Sequence, residues 1–136
     1  MSDVAYSESE QERVTALTTA HGGTIPPPFW AIKNVLPMSI CWRMGGGEDY
    51  SHLWWKWWSL QRFTEEEKIA FFRQWPPPHA WLEWMVEAVW GDLPVFSVER
   101  TAAAAPFFER TAALGFGSKK DYETDLDDPK WEEHYD

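Results

Sequence analysis

Across residues 51–63 the apolar side chains cover far more than one side of a helix. Projected at helical spacing, Leu53, Trp54, Trp55, Trp57, Trp58 and Leu60 spread over roughly 220°, against the roughly 100° stripe of an ordinary surface helix. His52, Lys56 and Ser59 share the remaining side. Such a helix is buried on two sides, or buried on one and adhesive on the other. Thr64 then opens a second helix: with Glu67 three residues on it forms a capping box, and the acids at 65–67 suit a helix N-terminus. Ile69, Phe72 and Trp75 share one face, with Phe71 at its edge, until Pro76-Pro77-Pro78 stops the run. A third helix is predicted over 79–90, ended by Gly91. Its only polar positions between Ala80 and Trp90 are Glu83 and Glu87, one turn apart. The pattern predicts a central buried helix with those two glutamates as its solvent-facing strip.

The flanks are less regular. Ser7 to His21 reads as a polar helix with a thin Val14/Leu17 stripe, a Ser9–Glu12 capping box, and Gly22-Gly23 as its stop. Pro26-Pro27-Pro28 favours polyproline II. Residues 31–36 read as a short helix or extended segment. Short strands are allowed at 38–44 and 93–98, and Gly45-Gly46-Gly47 reads as a flexible joint. Glu99-Arg100-Thr101-Ala102-Ala103 recurs as Glu109-Arg110-Thr111-Ala112-Ala113, two helical turns of similar character. The expected fold is mainly α, a compact single-domain helical fold with at most two short strands. It divides into a polar N-terminal helix or arm (1–24), a tryptophan-rich body (25–117) and a flexible acidic C-terminal tail (118–136).

Charge and composition narrow the function classes. Eight acids against Lys130 in residues 121–136 place −7 of the net −10 in the last sixteen residues. A nearly balanced body with an acidic end is unsuited to the phosphate backbone of nucleic acid. No run reaches the roughly 18 apolar residues of a membrane span. The start, Met1-Ser2-Asp3-Val4-Ala5, lacks the basic and apolar regions of an export signal. Cys41 is the single cysteine, so a reducing, cytoplasmic setting is expected.

No catalytic residue, metal site or cofactor emerges. His21, His52, His79 and His134 fit no metal spacing, and no family signature surrounds Cys41. The acids after Gly45–Gly47 would repel phosphate. The eleven tryptophans, ten of them between Trp30 and Trp90, carry more information. A body this small is expected to strain to bury ten indoles and satisfy every N–H, leaving two or three exposed side by side. Trp30, Trp55 and Trp58 are the candidates for an aromatic groove, with Arg43, Lys56 and Arg62 as cations holding an extended or C-terminal peptide. The function expected is a non-enzymatic protein-binding module. The alternatives are a carbohydrate-binding or hydrolytic protein, using tryptophan stacking with Glu48, Glu83 or Glu87, and a structural subunit of a larger complex.

The stretch Pro26-Pro27-Pro28-Phe29-Trp30-Ala31-Ile32-Lys33, followed by Trp54-Trp55-Lys56-Trp57-Trp58, resembles small cyanobacterial accessory proteins, among them carboxysome and photosynthetic-complex assembly factors. The resemblance covers roughly residues 25–92. It implies an assembly helper that binds a partner's tail, and it carries over no functional residue.

Overall fold

The computed structural model describes residues 6–91, 93–94 and 97–134. Among them the chain is helix and turn, with no strand. The α-helical segments are α1 (Glu8–Ala20), α2 (Pro28–Ala31), α3 (Gly45–Gln61), α4 (Glu65–Gln74), α5 (Leu82–Trp90), α6 (Ser97–Ala104), α7 (Phe108–Ala113) and α8 (Lys119–Leu126). Short 3-10 turns lie at Ile40–Arg43, His79–Trp81, Ala105–Phe107 and Pro129–His134. The strand allowed over 38–44 is the Ile40–Arg43 turn, started by the Ser39 hydroxyl, which accepts from the Cys41 amide at 3.1 Å. Of the strand allowed over 93–98, residues 95 and 96 lie outside the described residues, and α6 begins at Ser97.

Side-chain caps fix the helix starts. Thr64 and Glu67 form the box read from the sequence, at 2.8 and 3.1 Å. In α1 the box is Ser7–Glu10, two residues before the Ser9–Glu12 pair. Both pairs have the right spacing, but Glu10 also meets Lys56 of α3 at 2.9 Å, a partner that sequence spacing does not reveal. The α1 stop is a glycine cap, with Gly22 at φ 71° and the Gly23 amide donating to Thr18 O at 2.8 Å.

Gly45–Gly47, expected as a joint, form the first turn of α3. A Cβ on Gly47 would stand 2.1 Å from the Cys41 carbonyl oxygen. The glycine therefore lets the helix start press directly onto the Ile40–Arg43 turn.

The core forms around α5, whose Leu82, Met85 and Val86 are fully buried. Trp54 and Trp58, one turn apart on α3, stack at 4.8 Å and 20°. Trp54 also lies 5.1 Å from Trp84 of α5. Ile25, Pro26 and Pro27, which precede α2 without regular structure, are buried too, as is Pro28 at the first position of α2. The Trp54 indole N–H donates to Ile25 O at 3.0 Å and the Tyr50 hydroxyl to Pro26 O at 2.7 Å. Burial pushes the Tyr50 hydroxyl up to about 12, against a small opposing effect of Arg13.

Residues 118–131, expected as part of a flexible tail, are folded. Ser118 and Asp121 form a capping box for α8. Tyr122 and Trp131 are buried. Asp125 accepts from the Ala80 amide at 2.9 Å, at the start of the turn that leads into α5, and pairs with Lys130 at 2.9 Å. The acids that made this segment look solvated serve as caps and ties.

Two predictions follow from this packing. Gly47→Ala is expected to destabilise the protein by about 1–3 kcal/mol through overpacking, which outweighs the roughly 1 kcal/mol gain in helix propensity. Gly46→Ala, with nothing within 4 Å of its Cβ, is expected to be neutral or stabilising. Urea midpoints for the two variants check this, and equal effects would refute the close approach. The second prediction concerns acid. Burial alone would raise the Asp125 carboxyl, but Lys130 and the Ala80 amide outweigh it and hold the group below its usual range. Its contribution is therefore complete above about pH 4, the ordinary carboxylate value, and is lost as pH falls through the lower folded value. Asp125→Asn should flatten the acid limb of a plot of urea midpoint against pH below about 4.

Candidate functional site

The two glutamates of α5 were expected to face solvent. Glu83 instead has a side chain only 7% exposed, and Arg100 of α6 clamps both. Arg100 Nε donates to Glu83 Oε1 at 2.9 Å and Nη2 to Glu87 Oε1 at 2.6 Å. The Thr101 hydroxyl lies 3.1 Å from Glu83 Oε2. Burial, and then the neighbouring Glu83 carboxylate, push the Tyr122 hydroxyl upward. The sequence echo supplies this clamp and a second contact. The first copy brings Arg100 and Thr101 to α5. The second brings Arg110 over the Trp90 ring at 4.9 Å and to Glu65 at 2.8 Å, with Thr111 buried.

Glu87 lines three adjoining hollows. The first, about 400 Å³, lies between Met38, Arg43, Leu93 and Trp84. The second, about 240 Å³, is floored by Trp42, Trp55, Trp81 and Trp84. The third, about 240 Å³, lies between Trp55, Trp58, Arg62, Phe63 and Lys68. Trp55 borders the second and third. Half-buried, it is held edge-on to Trp54 at 5.1 Å and tilted on Trp84 at 5.3 Å. The three hollows meet at Glu87 and are walled largely by aromatic rings; together they are called the Trp55 groove. Arg100 offsets one of the two negative charges of Glu83 and Glu87. Arg43 and Arg62 stand exposed on the groove and enter no ion pair among the described residues. Lys68 adds a third cation, its ammonium 3.4 Å from Val89 O.

Of the candidates read from the sequence, Arg43, Trp55, Trp58 and Arg62 meet on this groove. Trp58 contributes buried wall, its indole N–H donating to Ala88 O at 3.0 Å. Arg62 ends α3 in a left-handed conformation, φ 54°. Lys56 is elsewhere, tied to Glu10. Trp30 is on a separate cleft with Trp75 and Lys33. Lys68 and Arg100 are absent from the sequence reading, which has Glu87 beside stacked tryptophans only in its carbohydrate-binding or hydrolytic alternative. The spacing of Glu83 and Glu87 and the repeated Glu-Arg-Thr held that signal, since an arginine between two carboxylates on a buried helix is a natural partner.

The expectation of two or three adjacent exposed tryptophans is corrected. Trp30, at 39%, is the one exposed tryptophan; seven others are buried and Trp55, Trp75 and Trp90 are half-buried. Backbone carbonyls supply the acceptors for several buried indoles, while the buried Trp90 N–H has no partner among the described residues. Trp42 donates to Leu36 O and Trp81 to Val35 O, each at 2.9 Å.

Cys41 is a half-buried free thiol beside Gly47. His21 packs on Trp30 and Trp75. Among the described residues no group of three or more His, Cys, Asp or Glu is placed to hold a metal ion. No helix among them is long and apolar enough to cross a membrane. Comparison with known proteins gives no matching family model, curated protein or solved structure.

Removing Arg100 leaves Glu83 buried without its counter-charge, so Arg100→Leu is expected to cost about 3–5 kcal/mol. The double variant Glu83→Leu, Arg100→Leu should recover much of that loss, because it removes the stranded carboxylate as well. Urea unfolding of the wild type, both single variants and the double variant gives the coupling. Additive losses would show that the clamp is not a unit.

Proposed function

We propose that this chain is a non-enzymatic protein-interaction module, an accessory or assembly factor whose Trp55 groove holds an extended acidic segment of a partner protein. The observation that carries this reading is the charge of the groove. On a chain of net charge −10, Arg43, Arg62 and Lys68 stand along an aromatic trough whose two carboxylates are already paired with Arg100. Three hollows meeting at Glu87 suit a chain laid across them. Trp55 and Trp84 offer stiff apolar surface at small entropic cost, and the arginines can fork onto carboxylates. The commitment of Glu83 and Glu87 to Arg100 favours binding over acid–base chemistry at this place.

Selection of a random-peptide display library on the intact chain tests the proposal. Enriched peptides are expected to carry Asp or Glu beside apolar residues. Trp55→Ala should weaken the best of them at least about tenfold, the mark of an interface anchor. Arg43→Glu with Arg62→Glu should abolish binding while the circular dichroism spectrum is retained. Enrichment of neutral or basic peptides, or undiminished binding by the charge-reversed variant, would overturn the reading.

A further inference from the structure

A second hollow shares no lining residue with the Trp55 groove. This cleft, about 570 Å³, has walls of Phe29, Trp30, Trp75 and Trp131, closed off by Pro76 and Pro78. That volume lies within the range of small-molecule sites, and mostly apolar walls with a few polar groups are their usual make-up. The polar groups here are Lys33, Lys130, Asn34 and Gln74, with no carboxylate among the described lining residues. On so acidic a chain, the Lys33 ammonium, unpaired among the described residues and at the edge of an apolar cavity, favours a ligand with negative charge.

The two lysines are held differently. Lys130 is already paired with Asp125 at 2.9 Å and with Asp128 at 3.7 Å, which leaves Lys33 as the cation open to a ligand. Lys33 has no ion pair among the described residues and rests over the Trp30 ring, 5.6 Å from its centre. Trp30 itself packs edge-on to His21 at 5.0 Å and to Trp75 at 5.6 Å. Asn34, at the lip, adopts a left-handed backbone, φ 61°, directly after Lys33. A flat apolar ring entering beside Trp30 and Trp75 would find aromatic walls, and an acid group on it would draw the Lys33 ammonium from Trp30 into a full ion pair.

We propose that this cleft binds a planar aromatic carboxylate, with Trp30 and Trp75 receiving the ring and Lys33 the acid group. Naphthoate is the probe, with uncharged naphthylmethanol and the disaccharide cellobiose as comparators. The readout is the set of indole N–H resonances of the eleven tryptophans, those of Trp30, Trp55 and Trp75 being assigned from single Trp→Phe variants. Naphthoate should shift the Trp30 and Trp75 signals and leave that of Trp55 in place. Naphthylmethanol should bind at least about tenfold more weakly, since the charge-assisted contact is missing. Lys33→Ala should bring naphthoate down to the level of the alcohol with the rest of the spectrum unchanged, and Lys33→Arg should restore the difference. Equal binding of acid and alcohol, preference for cellobiose, shifts centred on Trp55, or no shift at saturating naphthoate would each overturn the assignment.

Discussion

One kind of hydrogen bond makes this fold possible: the indole N–H donated to a backbone carbonyl of a segment without regular structure. Prolines at 26–28 provide carbonyls and no amides, so the buried strip containing them is rich in acceptors that cannot pair among themselves. Trp54 and Tyr50 reach two of those acceptors, and Trp81 and Trp42 do the same for Val35 and Leu36. Trp58 is the exception, donating to Ala88 O within the last turn of α5. Each bond is worth only about 1 kcal/mol net, but a stranded donor or acceptor would cost more, so the two deficits cancel. Many tryptophans and an irregular core strip are one solution to one problem.

That solution sets where α5 can lie. It is surrounded by indoles on its α3 side and crossed by α6 on another, where Glu83 and Glu87 would be intolerable without Arg100. The clamp and the Trp55 groove are thus consequences of the same placement. Glu87 is half-buried because it stands at the boundary between them. The groove is aromatic because α3 and α5 pack through tryptophans, with Trp55 as the one of the four in its pentapeptide left partly uncovered.

Much of this was legible in the sequence, and the failures share a cause. The helices, the Thr64–Glu67 box and the stops at Gly22 and Gly91 depend on neighbours within a few residues, and spacing exposes those. What spacing hides is a partner far along the chain. Ser7 wins over Ser9 where Glu10 meets Lys56; Gly47 is rigid because of the Cys41 carbonyl; Glu83 is buried because Arg100 comes to it. Residues 118–131 looked unstructured because their acids were counted as charge. Asp121 and Asp125 act as hydrogen-bond acceptors at helix starts, a role that composition does not distinguish from solvation. Trp30, Trp55 and Trp58 were grouped as one surface by their shared chemistry. The fold separates Trp30 from the other two, which no periodicity could announce.

The distribution of acids also bears on what the groove can select. Glu10, Glu67, Asp121 and Asp125 sit at helix starts, and Glu83 and Glu87 are tied to Arg100. Fixing acids there leaves the groove edge to Arg43, Arg62 and Lys68 while the molecule as a whole stays strongly negative. An approaching acidic ligand therefore meets repulsion at long range and attraction only inside the groove. At physiological ionic strength the repulsion is screened beyond roughly 8 Å, whereas the contacts at the groove are shorter than that. A polyanion carries its charge well outside the groove and feels the repulsion throughout. A short segment with one or two acids, flanked by apolar side chains that can lie on Trp55 and Trp84, keeps the attraction and avoids most of the penalty. Under the proposed binding role, the negative field of the molecule would narrow the partners that the positive groove accepts.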